Sequence, residues 1–364
     1  MTSGEARLGH IHDQVGRALH DFLRLQRPVL LGASEELRPG LDALSGLLAG
    51  GKRLRAAFCY WGWRGAGGED CPQILAAAAA LELLHSSALV HDDVMDGSDS
   101  RRGQPSLHRQ FANRHAARRW HGSPEAFGAA TAILLGDLLL AWTDQMFQAS
   151  GLPPEALRRG QPVLDLMRTE VMAGQYLDLL GQAAGDDTLA SALRVVEYKT
   201  AKYTIERPLQ LGEALAGGTG LTGGGLADGA GNGTAAAYGL PLGLAFQLRD
   251  DILGLFGDPA QTGKPSGDDV REGKRTVLLA MTRARASAQQ AAIIERRLGD
   301  PRLDEAGVAE IRAVITGTGA LAECELMIDR HVALALSALD AAPITDEAKA
   351  ALAELAVTAT ARHG

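Results

Sequence analysis

Two sets of adjacent aspartates stand in apolar surroundings: His91-Asp92-Asp93-Val94-Met95-Asp96, and Arg249-Asp250-Asp251 followed by Ile252-Leu253-Gly254. Neighbouring carboxylates repel, and burying them unpaired is costly, so both sets call for cations nearby. On a helix, Asp92 and Asp96 project from one face roughly 6 Å apart. Two unit charges at that spacing repel by about 3 kcal/mol at an effective dielectric near 20. Magnesium removes the penalty, because it seeks hard oxygen ligands and is held by one or two carboxylates plus substrate phosphates. Basic residues follow each set, Arg101-Arg102-Gly103 after the first and Lys264 and Lys274 after the second. Their side chains suit phosphate oxygens. The pattern predicts a divided site for magnesium and diphosphate. An isolated Asp-Asp-x-x-Asp is as readily a solvated helix end, but Leu81, Leu84 and Ala88 ahead of it read as a buried face.

A third basic element, Gly50-Gly51-Lys52-Arg53-Leu54-Arg55, lies between two apolar segments. Two glycines permit close backbone approach, and Lys52 and Arg55 fall on one side of a starting helix, where anions are favoured. Lys199-Thr200 after Glu197-Tyr198 says nothing alone. Gly263-Lys264 is not a P-loop, lacking both its spacing and its preceding strand.

The elements that must hold these residues read as helices. Leu8, Ile11, Val15, Leu19 and Phe22 form an amphipathic stripe. Segments near 73–96, 127–149, 155–181, 187–215, 234–257 and 272–298 repeat the period, and no useful length alternates apolar with polar residues. The chain is expected to be all-α. Residues 97–125 read as a loop or short helices, 216–233 as a Gly-rich surface connection, and the Ala-rich tail from about 300 as helical scaffold. The two acidic sets flank both breaks, so a shared site would tie residues 1–364 into a single domain.

Composition excludes several classes. The net charge is -8, with 46% hydrophobic and 22% charged residues among 364, which argues against nucleic-acid partners and fits a globular chain. Cys59, Cys71 and Cys324 match no metal spacing and read as thiols of a reducing compartment, the cytoplasm. No signal peptide is evident. Glu82, His85 and Asp137 interrupt the longest apolar runs, so no transmembrane segment is expected.

Taken in order, the Gly-Gly-Lys-x-x-Arg element, Asp-Asp-x-x-Asp with its trailing Arg-Arg-Gly, the Lys-Thr pair and Gln-x-x-Asp-Asp followed by Gly-Lys resemble the trans-isoprenyl diphosphate synthases. These are head-to-tail, chain-elongating prenyltransferases. The resemblance runs from about Gly50 to Thr276 and implies a many-helix bundle of the isoprenoid-synthase type around a central cavity, working as a homodimer. It implies that Lys52, Arg55, His85 and Arg102 hold isopentenyl diphosphate. Asp92, Asp96 and Asp250 would bind several magnesium ions, with Asp93, Asp251 and Lys199 completing the catalytic set. Arg101, Lys199, Thr200, Gln247, Lys264 and Lys274 would grip the allylic diphosphate. The chain departs from the pattern at Gly254, where the second set often carries a third aspartate.

Product length in such enzymes is set by side chains below the first acidic set. Ser87 and Ala88, one turn upstream of Asp92, are small, and Leu84 forms the next layer, with Leu81 and Trp142 or Phe147 as candidates for the floor. A growing tail should pass this level, and the expected product is geranylgeranyl diphosphate. Each isoprene unit buries five carbons, worth at most roughly 4 kcal/mol, so pocket depth can decide where growth stops. A longer-chain or farnesyl synthase, a class I terpene cyclase and a non-catalytic regulatory subunit share parts of the pattern.

Overall fold

A computed structural model describes residues 3–218, 233–257, 267–300 and 302–360, with side chains from Leu8 onward. The fold is all α, apart from one two-stranded hairpin among the described residues. By contact density the chain divides into two compact units, Met1–Gly160 with Leu211–Gly217, and Gln161–Gln210 with Gly218–Gly364.

In the first unit, α1 (Ser3–Ala33) buries Ile11, Val15, Leu19 and Phe22, the residues of the amphipathic stripe. A 3-10 turn capped by Ser34 leads into α2 (Arg38–Ala49), and α3 (Leu54–Gly65) follows the Gly50-Gly51 break. Helix α4 (Pro72–Met95) is buried on every side over Ala77–Leu84, where Glu82 is the one charged residue, and packs on α1, α2, α3, α5 and α6. The segment at 97–125 holds more order than expected. A two-residue hairpin pairs β1 (Ser100–Arg101) with β2 (Gln104–Pro105), and α5 (Leu107–Arg118) succeeds it. Helix α6 (Pro124–Gln148) begins at Pro124, behind a Ser123 side chain that accepts from the Ala126 amide. A Cβ at Gly136 would overlap the His91 ring, so α4 and α6 cross closely there.

Glu82, His85 and Asp137 do not break the apolar runs as expected. Both α4 and α6 are long and apolar enough to cross a membrane by length and composition. They differ in packing, since 72% of the apolar window is buried in α4 but only 33% in α6. Helix α4 is therefore a core helix, whereas α6 leaves an apolar face uncovered by the described residues.

The second unit begins within α7 (Pro154–Ala184). The next helix is continuous but changes pitch: α8 (Leu189–Val195), a π-helical segment (Val196–Glu206) and α9 (Arg207–Ala216). Helix α10 (Thr234–Phe256) lies against the π segment. Glycines allow both approaches, because a Cβ at Gly174 of α7 would meet the Lys199 amide nitrogen at 2.5 Å, and one at Gly243 of α10 would overlap Ala201. A helical glycine costs about 1 kcal/mol relative to alanine, which the packing must offset. Arg207, 1% exposed, donates to both carboxylate oxygens of Glu170, at 2.6 and 2.7 Å, and further to Glu206 and Gln210.

Residues 272–298, expected as one helix, are split. The short α11 (Asp268–Arg271) precedes α12 (Val277–Arg283), capped by Thr276, and α13 (Ala288–Arg297), which opens on a Ser287–Gln290 capping box. Helices α14 (Glu305–Gly317), α15 (Ala320–Asp340) and α16 (Asp346–Thr360) complete the chain. Leu248, Ile252 and Leu255 of α10 pack with Val277–Met281, Ile311, Ile315 and Ile328 in one core. Tyr238 Oη donates to the Leu352 carbonyl at 2.7 Å, and Arg249 is bidentate to Glu325, so α10 is pinned on the side away from Asp250 and Asp251. Of the connection expected at 216–233, residues 219–232 lie outside the described residues.

The close approach at the π segment is testable. Gly243→Ala should destabilise the protein by about 1–3 kcal/mol in urea denaturation, whereas Gly181→Ala, with nothing within 4 Å of its Cβ, should be neutral or mildly stabilising.

Candidate functional site

In the first unit, the Gly50–Arg55 element and the hairpin come together. Arg102 and Gly103, the two residues between the strands, both have positive φ, 54° and 73°, as a right-twisting two-residue turn requires. An arginine there is costly by about 1–2 kcal/mol. The conformation lays its guanidinium against Gly50 and Gly51, where a Cβ would come within 3.0 and 2.9 Å, and Nη1 donates to the Leu47 carbonyl at 3.1 Å. The sequence Gly50-Gly51 is thus the bed on which Arg102 lies.

Burial, and then the charges of Arg55, Arg102, Arg101 and Arg53, hold His85 well below the ordinary histidine range. Burial and the neighbouring guanidiniums of Arg53, Arg101 and Arg55 likewise lower Arg102, with Glu82 opposing. His85 is therefore a neutral imidazole amid crowded cations, an environment made for a polyanion. Lys52 is exposed on the same turn. Arg53, buried and left-handed, pairs with Glu82 at 3.6 Å and donates to the Leu48 carbonyl.

The first acidic set closes α4. Arg101 Nε donates to Asp93 Oδ1 at 3.0 Å, its Nη2 also contacts Asp93, and Nη2 lies 3.6 Å from Asp92 Oδ2. Arg101, expected on the allylic diphosphate, here holds the acidic set. Asp93 takes the closest contacts with Arg101, and Asp92 stands farther from it. Both Asp96 carboxylate oxygens are shielded from solvent. Of the proposed chain-length residues, Ser87 and Leu84 are each 2% exposed within the helix packing, and Ala88 keeps accessible surface. Phe147 is fully buried, and Trp142 packs edge-on against Phe22.

In the second unit, the π segment carries Lys199 and Thr200. Lys199 Nζ pairs with Asp178 of α7 at 2.7 Å. Thr200 Oγ1 donates to Gln247 Oε1 at 2.8 Å, and Gln247 Nε2 donates to Asp251 Oδ1 at 2.9 Å. Thr200 is thereby wired through Gln247 to the second acidic set. Burial, and then the charges of Asp269 and Asp250, push Asp251 up to about 8 against hydrogen bonds from the Gln247 side chain and the Val277 backbone. Lys274 Nζ lies 2.7 Å from Glu272 and 3.8 Å from Asp269. Lys264 lies outside the described residues.

Asp178, Asp269 and Glu272 escaped sequence reasoning. Asp178 follows Gly174-Gln175 in an amphipathic helix and resembles any surface acid, and Gly174, required for contact with Lys199, was the available signal. The carboxylates of Asp250, Asp251 and Asp269 are oxygen donors of the kind that a hard divalent cation takes, and Asp251, 4% exposed, is the most deeply buried of them. Among the described residues no three acidic, histidine or cysteine side chains could hold a metal by themselves. A magnesium ion held by these carboxylates would take water and substrate oxygens as its remaining ligands.

Residues 41–315 match the family model described as polyprenyl synthetase. The chain is 31% identical over 364 residues to a geranylgeranyl diphosphate synthase of Mycobacterium tuberculosis, covering 93% of each. It is 31% identical over 330 residues to a geranylfarnesyl diphosphate synthase of Aeropyrum pernix, covering 90% of this chain and 92% of the other. Its structure resembles a Corynebacterium glutamicum geranylgeranyl pyrophosphate synthase complexed with isoprenyl diphosphate and magnesium, with TM-score 0.90 and 40% identity over 97% of this chain and 99% of that one.

The bed under Arg102 predicts a specific loss. Gly51→Ala, strained at φ +108° and crowding the guanidinium, should weaken inorganic pyrophosphate binding about tenfold by calorimetry. Gly46→Ala, with open space at its Cβ, should bind as the parent does.

Proposed function

The chain belongs to the polyprenyl synthetase family, and we propose that it condenses isopentenyl diphosphate with an allylic diphosphate to give geranylgeranyl diphosphate. The observation that carries this reading is the crowding of Arg55, Arg101 and Arg102 around a neutral His85, beside the carboxylates of Asp92 and Asp93. Such a site needs both a polyanion and a cation to relieve it.

Lys52, Arg55, His85 and Arg102 hold the diphosphate of isopentenyl diphosphate. Asp92, Asp96 and Asp250 hold magnesium, several ions to a site, which when bound neutralises the departing diphosphate. Lys199, Thr200, Gln247, Lys264 and Lys274 position the allylic diphosphate as its carbon–oxygen bond ionises. Lys199 exchanges Asp178 for phosphate oxygens, and Arg101 keeps Asp92 and Asp93 in place and binds the allylic diphosphate. The double bond of isopentenyl diphosphate attacks the cation, and the released diphosphate takes the proton, so no protein nucleophile is needed. Apolar walls keep water from the cation.

The small residue Ala88 and the geranylgeranyl synthases among the relatives support a twenty-carbon product. Residues 1–364 act as one catalytic domain. Phe127, Ile133 and Leu134 on α6, the last 69% exposed, supply an apolar surface that fits a second copy of this chain. The three free cysteines accord with the cytoplasm.

Incubation with isopentenyl diphosphate, each allylic primer and magnesium, followed by chromatography, should yield the twenty-carbon product. Consumption of an allylic diphosphate without isopentenyl diphosphate would instead indicate a cyclase. Asp92→Ala and Asp250→Ala should each lower kcat at least about 100-fold, and Ala88→Phe should shorten the product. Leu134→Arg should shift the mass measured by light scattering from dimer to monomer.

A further inference from the structure

Leu107–Gly122 is a basic stretch in an acidic chain. Its sixteen residues hold Arg109, Arg114, Arg118 and Arg119 with three histidines and no carboxylate, although the net charge of the whole is -8. Helix α5 supplies most of it, and the reaction proposed above uses none of these residues.

Packing fixes which side of α5 faces outward. The helix buries Leu107, Phe111, Ala112 and His115. A Cβ at Gly128 of α6 would overlap the His108 carbonyl, so α5 lies hard against α6 and cannot roll. Arg118 and Arg119 are left exposed, and Arg114, one turn before Arg118, is half-buried. None of these three forms an ion pair among the described residues. The nearby acids are engaged elsewhere, Asp99 with Arg109 and Glu125 with Ser123. Guanidiniums clustered without counter-charge repel one another, and an anionic surface relieves them.

A second, independent feature stands beside the arginines. Arg119 closes α5 in the left-handed region, at φ 51° and ψ 42°. That turn sends Trp120 back along the helix, where its amide donates to the His115 carbonyl at 3.3 Å. The indole stands edge-on to His115 at 5.9 Å, and Phe127 backs it at 5.3 Å from the start of α6. Trp120 is nonetheless 39% exposed. An indole held rigidly in the open between Arg119 and His121 suits the headgroup level of a bilayer. The ring is amphipathic there, and the guanidiniums reach phosphates.

We propose that α5 and the turn into α6 dock on an anionic lipid bilayer. Arg114, Arg118 and Arg119 meet the headgroup phosphates, and Trp120 enters the interface beside them. A long soluble polyanion would meet the negative charge of the chain along its length, whereas a bilayer touches the docking face alone. Attachment is weak and reversible, since each cation near anionic lipid raises affinity about fivefold. The twenty-carbon product proposed above is itself a lipid, and docking places its release beside a bilayer; that last link alone rests on the proposed reaction.

Co-sedimentation of the full chain with phosphatidylglycerol or phosphatidylcholine vesicles, with no substrate present, tests the docking. Binding should favour phosphatidylglycerol and weaken as salt rises. Arg114→Gln with Arg118→Gln should weaken it about 25-fold. Removing two exposed charges from α1 instead, by Arg17→Gln with Arg24→Gln, should leave it unchanged. Trp120→Ala should bind more weakly. Trp120→Phe should still bind but lose the blue shift of tryptophan emission that vesicles induce. Equal affinity for the two vesicle types overturns the proposal, as does an α1 variant that binds as poorly as the α5 variant. A blue shift kept by Trp120→Phe also overturns it, because another tryptophan then meets the lipid. Retention on heparin without binding to vesicles overturns it in favour of a soluble polyanion. A chain that binds through α5 yet consumes no isopentenyl diphosphate upholds the docking and removes only the proposed reaction.

Discussion

Like charges are held together here at short range, and much of the local structure exists to make that tolerable. Arg53, Arg55, Arg101 and Arg102 depress proton binding at His85, and Asp250, Asp251 and Asp269 crowd one another in the same way. Repulsion of this kind costs several kcal/mol in a partly buried setting, and counter-charges or a bound ligand of opposite sign must offset it. Rigid supports hold the groups in place meanwhile. The turn at Arg102-Gly103 is one. Another is the Gln247 amide, which bridges Thr200 and Asp251.

Glycine determines how closely those supports can stand. Gly50 and Gly51 admit a guanidinium, Gly174 and Gly243 admit the backbone of the Lys199–Ala201 turn, and Gly254 admits a carboxylate. In each case the residue is defined by what occupies the place of its absent side chain. A binding site made of long polar side chains is otherwise hard to keep in register, because each brings rotamer entropy that ordering must overcome. Close backbone contacts supply that order without adding polar groups to satisfy.

Much of this was legible in the sequence, and the exceptions have physical reasons. Helices α1, α4, α7 and α10 announce themselves by apolar period or by composition, and both acidic sets were visible as charges in apolar runs. The segment from Leu107 to Arg118 was obscured because α5 is rich in histidine and arginine and buries only a narrow face. Residues 272–298 carry helical composition throughout, and only the caps at Thr276 and Ser287 divide them. Asp178 meets Lys199, and Asp269 the space beside Gly254, each more than ten residues away in the chain, a relation that spacing does not encode. Arg101, read as a phosphate ligand, also contacts Asp93 at the end of α4, a pairing that its place in the sequence does not disclose.

The π segment between Val195 and Arg207 has a further meaning. In a regular helix each residue advances the face by about 100°, so the direction of Lys199 would dictate that of Arg207 eight positions on. Widening the coil over Val196–Glu206 breaks that dependence. Arg207 can remain sealed against Glu170 while Lys199 and Thr200 turn towards Asp178 and Gln247. The segment works as a phase shifter between two halves of one rod, so mutations could re-aim the reactive half while the buried half keeps its partners.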